Sequence, residues 1–313
     1  MAQALVFPGQ GSQAVGMGKE LADAFTVAKE VFLEVDDALS EHLSKKMFEG
    51  PAEDLLLTEN AQPALMAVSM AVVRILQQEG KISLSKTFKY AAGHSLGEYS
   101  ALCAAGAFDI TMTAKLLRTR GKAMQQAVPV GKGGMAALIG ADLEQAKAIA
   151  EEAAQGDVCV AANDNAPGQV VLSGTMAAID RAVEIAAKKE IKRAVKLAVS
   201  APFHSPLMKP AADVMAQALA EVEIKEPRFP VIANVTARPV TDPAEIRKLL
   251  VEQVTGSVRW RESVLFAVEN GVDTLAEAGS GKVLTGMAKR IHPELKGIAL
   301  NTPRDIEDFL KTL

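Results

Sequence analysis

Cysteine and histidine are scarce in this chain, and their spacing argues against a metal centre. The two cysteines, Cys103 and Cys159, lie in apolar stretches and show no CxxC spacing. Cysteines in such surroundings are usually buried free thiols, so we expect neither a disulfide framework nor a metal ligand. The four histidines form no HExxH motif, and zinc catalysis is therefore not expected.

Blocks of like charge and long apolar runs are also lacking. The net charge is −4 with acids and bases interleaved, so the sequence predicts neither a nucleic-acid partner nor a membrane-surface partner. The longest apolar stretch, residues 61–76, contains Ser69 and Arg74 and is too short for a membrane span. The first residues lack the basic segment and apolar run of a signal peptide. We therefore expect a cytoplasmic protein.

Apolar residues make up 49% of the sequence, and their spacing predicts an α/β fold with a mostly parallel sheet. Residues 3–7 predict a short buried strand, which a glycine-rich loop separates from a helix predicted over 20–39. A second strand, over 87–92, runs into the sequence GHSLG, and a helix is predicted from Leu96 onward. Two strand–loop–helix units of this kind indicate a hydrolase-like core with a nucleophile elbow.

The middle of the chain follows a different order of elements. Over residues 133–198 the pattern predicts a strand, a helix, two strands, a helix and a final strand. This βαββαβ order is typical of a ferredoxin-like unit, whose nearby termini allow insertion into a larger domain. We predict a discontinuous catalytic α/β domain, 1–128 and 199–313, with a ferredoxin-like small subdomain over 129–198.

Ser95 is the candidate nucleophile. It stands at the centre of GHSLG, residues 93–97, between a predicted strand and a predicted helix. Glycines at the alternate positions permit the tight turn that exposes a serine hydroxyl. The amide of Leu96, at the start of the helix, is placed to donate to an oxyanion. The alternative is a chance GxSxG, which the position between strand and helix disfavours.

A serine needs a base to remove its proton, and His204 is the best candidate. His94 is adjacent to Ser95, and its side chain should leave the turn in another direction. His42 and His292 lie in charged surroundings and are expected to be solvated. His204 follows the last strand of the inserted unit, where it could face a cleft between the two domains. A purely structural histidine is the alternative.

No acid between Ser95 and His204 is well placed to orient the imidazole. Each lies in the elbow helix, at a helix start or in the inserted unit; they include Glu98, Asp109, Asp142, Asp157, Asp164 and Asp180. A neutral carbonyl can hold the same tautomer. Gln253, near a predicted helix end, is a candidate for this role.

Arg120 is the candidate for binding a substrate anion. On the helix predicted over 111–127 it shares a stripe with apolar residues, namely Leu116, Leu117, Ala123 and Met124. A guanidinium that faces inward needs an anion, and its fork matches a carboxylate. The partner could be a substrate carboxylate or an internal Asp or Glu.

These motifs resemble the malonyl-CoA:acyl carrier protein transacylases and the acyltransferase domains of fatty acid and polyketide synthases. The similar segments are FPGQGSQ near the start, GHSLGEYSAL, RTRGKAMQ from residue 118, FHS at 203–205, and Gln253 followed by SVRW. The likeness extends over essentially the whole chain, and the combination of motifs is highly specific.

The resemblance implies that Ser95 is acylated and that His204 is the general base and acid. It implies that the backbone amides of Gln10 and Leu96 form the oxyanion hole. Arg120 would bind the malonyl carboxylate in this scheme. No metal and no bound cofactor are implied, because the coenzyme A thioester is the substrate.

Two further roles rest on the same resemblance. The carbonyl of Gln253 would orient His204, and Phe203 would favour malonyl, since methylmalonyl-selective relatives typically carry a smaller residue there. The implied reaction is transfer of malonyl from malonyl-CoA to the thiol of an acyl carrier protein, for fatty acid or polyketide synthesis. The partners are then malonyl-CoA and an acyl carrier protein.

Two other functions are compatible with the same motifs. A serine hydrolase, such as an esterase or thioesterase, would use the same elbow, whereas an idle acyl-binding protein would not need both Ser95 and His204. A basic patch could meet an acidic carrier protein, although an ordinary exposed strand explains it equally well; the patch comprises Lys189, Lys192, Arg193 and Lys196.

Overall fold

The computed structural model describes residues 2–199 and 201–313. Met1 and Ser200, which both fall within the predicted large domain, lie outside the described residues. The strands are β1 (Ala2–Phe7), β2 (Phe88–Gly93), β3 (Gly133–Ile139), β4 (Cys159–Ala166), β5 (Gln169–Thr175), β6 (Arg193–Lys196), β7 (Val231–Ala233), β8 (Arg238–Val240), β9 (Val272–Ala278) and β10 (Lys296–Leu300).

Helices account for most of the remaining described chain. They are α1 (Lys19–Ala24), α2 (Thr26–Leu39), α3 (Leu43–Glu49), α4 (Ala52–Leu56), α5 (Thr58–Gln78), α6 (Leu84–Thr87), α7 (Leu96–Ala105), α8 (Ile110–Gln126), α9 (Leu143–Ala154), α10 (Met176–Lys188), α11 (Lys209–Ala220), α12 (Pro243–Thr255), α13 (Trp260–Glu269), α14 (Thr285–Ile291) and α15 (Pro303–Leu310). A 3-10 turn, Pro206–Met208, precedes α11.

The larger sheet has six strands in the order β10-β9-β1-β2-β7-β8. All neighbouring pairs are parallel except β7 and β8, which are antiparallel. The prediction of an α/β fold with a mostly parallel sheet is confirmed. In this register Phe7 pairs with Gly93, so the loops after β1 and β2 leave the sheet side by side.

The smaller sheet is separate and antiparallel, with four strands in the order β4-β5-β3-β6. Helices α9 and α10 cover one face, and their apolar residues form a core with this sheet alone. The main core lies on the larger sheet around α5, which is buried along nearly its whole length and contacts α2, α7 and α8. Burial of this much apolar surface is the main stabilising contribution.

The structure corrects some predicted elements. The helix predicted over 20–39 is two helices, because Phe25 has extended backbone angles (φ −130°, ψ 120°) between α1 and α2. Strands β8 and β10 were not predicted; each is short and lies at an edge of the sheet, where the apolar alternation is weak. Among the described residues no helix is both long enough and apolar enough to cross a bilayer.

Candidate active site

The turn between β2 and α7 holds Ser95 in a strained conformation. Its backbone angles are φ 53° and ψ −111°, a region that residues other than glycine rarely adopt. The Ser95 N–H donates to Asn234 Oδ1 at 2.8 Å, and the Ser95 carbonyl accepts from Gln253 Nε2 at 3.0 Å. Strain of this kind persists only where surrounding groups fix it, as these two side-chain amides do here.

Glycine is required on both sides of this turn by close backbone approaches. A Cβ on Gly93 would lie 1.9 Å from the carbonyl of Gly97. A Cβ on Gly97 would lie 2.4 Å from Phe7 O on the neighbouring strand. The spacing of the two glycines is therefore explained by the packing of β1, β2 and α7 against one another.

Ser95 and His204 are in direct contact despite their separation in sequence. Ser95 Oγ lies 2.7 Å from His204 Nε2. His204 Nδ1 lies 2.9 Å from Gln253 O and 3.1 Å from Gly256 O. Carbonyl oxygens only accept, so Nδ1 carries the proton in the neutral imidazole and Nε2 is left to accept from the serine.

The two carbonyls that hold His204 belong to the carboxyl end of α12. This end of a helix carries unpaired carbonyl groups and partial negative charge. Positive charge on His204 is therefore favoured by the helix but opposed by its surroundings. Burial, and next the nearby Arg120 guanidinium, lower the pKa of His204 from 6.5 to about 3.

Arg120 approaches the same hydroxyl from α8. Its side chain is buried, with Nη2 at 3.1 Å from Ser95 Oγ and 2.8 Å from Gln253 Oε1. Nη1 donates to Gln62 Oε1 at 2.8 Å, and the guanidinium lies over the ring of Tyr99. Ser95 Oγ can thus donate to the imidazole while it accepts from the guanidinium.

The hydrogen bonds of Arg120 are all made to neutral groups. Its Nε is buried and has no acceptor among the described residues, and no acid of residues 2–199 or 201–313 forms an ion pair with it. The internal ion pair considered as an alternative is therefore not made. Glu98 carries a buried carboxylate nearby, but the side chain of Gln253 lies between it and Arg120 and forms hydrogen bonds to both.

These groups line a cleft of about 620 Å³. Both sheets contribute to its walls, since Met135 of β3 and Asn163 of β4 line it together with Ser95. Much of the remaining lining is apolar, namely Leu56, Leu57, Met124, Leu197, Val199 and Phe203. A cleft of this size is large enough for a small-molecule substrate.

The other predicted site residues also lie at or behind this cleft. Gln10, Leu96 and Phe203 line it, whereas Gln253 is fully buried behind Ser95 and His204. The amides of Gln10 and Leu96 have no hydrogen-bond acceptor among the described residues. Leu96 is the first residue of α7, so its amide lies at the positive end of that helix.

Three polar residues of the site were not predicted from the sequence: Gln62, Asn234 and Glu98. Gln62 binds Arg120, Asn234 binds the Ser95 amide, and Glu98 accepts from Gln253 Nε2. A usable signal existed for Asn234, which directly follows the buried strand β7 at the carboxyl edge of the sheet. Glu98 is an acid in a helix that is otherwise apolar or small on every face, which is a second signal.

Two further expectations concern His94 and the basic patch. His94 Nε2 lies 2.8 Å from Asn165 Oδ1, and its ring forms part of the cleft wall. In the basic patch, Lys189 and Lys196 are paired with Glu152 and Asp180. The described residues contain no cluster of three or more His, Cys, Asp or Glu side chains that could hold a metal.

A parallel sheet with a strained serine at its carboxyl edge, in contact with a histidine and an arginine, is compatible with a serine acyl transferase or a serine hydrolase. Residues 4–299 match the family model described as the acyl transferase domain, and the chain belongs to that family. The resemblance found in the sequence is thereby confirmed.

The relatives are more specific. A malonyl CoA-acyl carrier protein transacylase of Bacillus subtilis is 45% identical over 311 residues, 99% of this chain and 96% of the relative. The crystal structure of an acyl-carrier-protein-S-malonyltransferase from Bartonella henselae is 57% identical with a TM-score of 0.97, covering 100% of this chain and 99% of that one.

A second similar structure contains a partner. It is a malonyl-transacylase in complex with its type II polyketide synthase acyl carrier protein. The identity is 43% and the TM-score 0.97, with 100% of both chains covered.

Proposed function

We propose that this chain transfers the malonyl group of malonyl-CoA to the phosphopantetheine thiol of an acyl carrier protein, through a malonyl-serine intermediate. The product supplies fatty acid or polyketide synthesis. The observation that carries the proposal is the position of Ser95 Oγ, between His204 Nε2 at 2.7 Å and Arg120 Nη2 at 3.1 Å. A nucleophile, a base and a cation thus converge in one cleft.

The first half-reaction acylates Ser95. His204 Nε2 takes the hydroxyl proton while Oγ attacks the thioester carbonyl carbon. The tetrahedral intermediate collapses with cleavage of the carbon–sulfur bond, and coenzyme A leaves as the thiol with the proton from His204. The carbonyls of Gln253 and Gly256 keep the imidazole in the required tautomer throughout.

The second half-reaction reverses these steps with a different thiol. The carrier's thiol gives its proton to His204, and its sulfur attacks the malonyl ester carbonyl. The Ser95 Oγ–carbon bond then breaks, and the proton returns to Oγ. The exchange is ping-pong, because one thiol must leave before the other enters.

The amides of Gln10 and Leu96 are the proposed oxyanion hole. They belong to the loops after β1 and β2, which the parallel register places side by side. Each donor directed at the developing negative charge stabilises the transition state by about 3 to 4 kcal/mol. The positive end of α7 adds to this effect.

Arg120 and Phe203 select the acyl group. A substrate carboxylate supplies the anion that the buried guanidinium lacks among its neutral partners. Phe203 occupies the cleft wall next to His204, where its bulk leaves little room for a branch on the malonyl carbon.

The proposed enzyme has a catalytic α/β domain with an inserted small subdomain. The strand order β4-β5-β3-β6 with α9 and α10 on one face supports a ferredoxin-like subdomain over 129–198, inserted between 1–128 and 199–313. The turn at Ser95 acts as the nucleophile elbow. The enzyme works in the cytoplasm with malonyl-CoA as substrate and without a bound cofactor.

The pH dependence of Ser95 reactivity tests the role of His204. An uncharged fluorophosphonate should label Ser95 at a nearly constant rate from about pH 8 to about pH 5, because the base form of the imidazole persists below its usual pKa. Replacing Arg120 by methionine removes one of the causes that lower this pKa. The acid limb of the labelling rate should then move to higher pH. An unchanged acid limb would contradict the assigned coupling.

Intact-protein mass spectrometry tests the transfer itself. Brief incubation with malonyl-CoA should give a stoichiometric malonyl adduct that maps to Ser95 and disappears when a holo acyl carrier protein is added. The appearance of malonyl-carrier in equal amount completes the balance. Free malonate without a lasting adduct would indicate a hydrolase, and no adduct with no turnover would indicate an acyl-binding protein; both outcomes contradict the proposal.

A further inference from the structure

A buried carboxylate lies beneath the turn that holds Ser95. Glu98 is 2% exposed, and its Oε2 accepts hydrogen bonds from Asn234 N at 3.0 Å and Gln253 Nε2 at 2.8 Å. Burial raises the pKa of Glu98 to about 7, although these hydrogen bonds and Arg120 oppose the rise. A buried acid at such a site needs a reason, since an apolar residue would cost less.

Glu98 determines which way the Gln253 amide faces. Gln253 Nε2 lies within hydrogen-bond distance of Glu98 Oε2 and of Ser95 O, both of which accept. The amide oxygen is therefore turned toward Arg120 Nη2, which can only donate. The reverse orientation would place two donors face to face at Arg120 and two acceptors face to face at Glu98.

The same carboxylate also supports Asn234. Asn234 Oδ1 accepts from the Ser95 amide at 2.8 Å, and Asn234 Nδ2 donates to Gly93 O at 2.7 Å. The N–H and the carbonyl of Ser95 are thus held by the side-chain amides of Asn234 and Gln253. Glu98 in turn accepts from the Gln253 side-chain amide and from the backbone N–H of Asn234. Glu98 therefore stabilises, through Gln253 and Asn234, both the strained turn at Ser95 and the position of the Arg120 guanidinium.

The indirect link between Glu98 and Arg120 has a chemical consequence. A direct ion pair would occupy guanidinium donors and satisfy the charge internally. With one carboxamide between them, Glu98 in its ionised form is close enough to stabilise the buried cation, while Arg120 Nε is left without an acceptor among the described residues. The cation is kept in place and remains able to bind a further carboxylate.

We propose that Glu98 is a positioning residue of the transfer reaction, which through Gln253 and Asn234 aligns Arg120 for the substrate carboxylate and holds Ser95 in its reactive turn. The inference rests on the proposed function, because it assigns Arg120 to a substrate anion. It predicts that loss of the Glu98 charge impairs malonyl recognition more than it impairs the nucleophile.

The test makes two separate measurements on the Glu98→Gln variant: the kinetics of malonyl transfer and the rate at which a fluorophosphonate labels Ser95. This substitution keeps the shape and one acceptor but removes the charge, and its amide no longer dictates the orientation of Gln253. We expect kcat/KM for malonyl transfer to fall about 10- to 100-fold, chiefly through KM. Labelling of Ser95 by an uncharged fluorophosphonate should change by less than about threefold, since the Ser95 N–H keeps its hydrogen bond to Asn234 Oδ1 and the glutamine oxygen can still accept from Asn234 N.

Glu98→Asp separates distance from charge. The aspartate side chain is shorter than glutamate by one methylene, so its carboxylate cannot reach both Gln253 Nε2 and Asn234 N. We expect this variant to lose fluorophosphonate reactivity as well as malonyl transfer, each by about 10-fold or more. Equal behaviour of the aspartate variant and wild type would overturn the positioning role.

The matched control is Glu277→Gln. Glu277 is the other fully buried glutamate among the described residues, and it accepts from Leu284 N, Thr285 N and Thr285 Oγ1, away from the cleft. It should lower Tm as the Glu98 variants do and leave both readouts unchanged. Equal kinetic losses in Glu277→Gln and Glu98→Gln would mean that Glu98 is only structural.

If wild type forms no malonyl adduct, the proposed function fails, while fluorophosphonate labelling still tests how Glu98 holds Ser95.

Discussion

Replacing Ser95 by alanine is expected to abolish the malonyl adduct and to reduce malonyl transfer by about 10⁵-fold or more. The variant keeps His204, Arg120 and the backbone amides of the cleft, but it has no atom to carry the acyl group. The remaining activity would have to come from direct attack of one thiol on the other thioester. Transfer is measured with a holo acyl carrier protein, and the adduct by mass spectrometry.

The fold of the Ser95→Ala protein should be unaffected, because alanine meets the same backbone strain as serine and loses only one hydroxyl. A suitable control is Ser100→Ala in α7, the helix that follows Ser95, because the buried Ser100 hydroxyl has no hydrogen-bond partner among the described residues. Both variants should have Tm values within about 3 °C of wild type, and only Ser95→Ala should be inactive. Ready transfer by Ser95→Ala would rule out the serine intermediate.

The fold was largely predictable because its main features are local. Strands β1 and β2 are short apolar runs that end at glycine-rich turns, and the helices α8 and α12 show clear apolar stripes. The errors arose where tertiary packing decides. Phe25 interrupts a continuous helical pattern, and β10 is an edge strand of which only Leu300 is fully buried.

The site was predictable only where a residue carries its own signal. Ser95 stands in a motif, His204 was selected by elimination, and Arg120 interrupts an apolar stripe. Asn234 and Glu98 were missed because their function depends on a contact between β2 and β7 that no periodicity reports. The hydrogen bond between them joins residues 136 positions apart in sequence.

Replacing Arg120 by methionine is expected to reverse the preference for malonyl. Truncating one partner of a buried charged pair costs about 2 to 5 kcal/mol, so kcat/KM for malonyl-CoA should fall between about 30-fold and about 5,000-fold. Acetyl-CoA has no carboxylate to lose, and its kcat/KM should stay within about 10-fold of the wild-type value. Methionine is chosen because its length fills the space against Tyr99 without a buried charge.

The informative quantity is the ratio of malonyl to acetyl transfer within one variant. Arg120 also contacts Ser95 and lowers the pKa of His204, so its loss alters the nucleophile and the base. Those effects are common to both substrates and cancel in the ratio. Arg118→Met is the control, since Arg118 lies on the same helix but binds Asn60 and Glu41 instead of lining the cleft. A ratio preserved in Arg120→Met would show that malonyl is selected by something other than this guanidinium, and Phe203 would then be the next group to test.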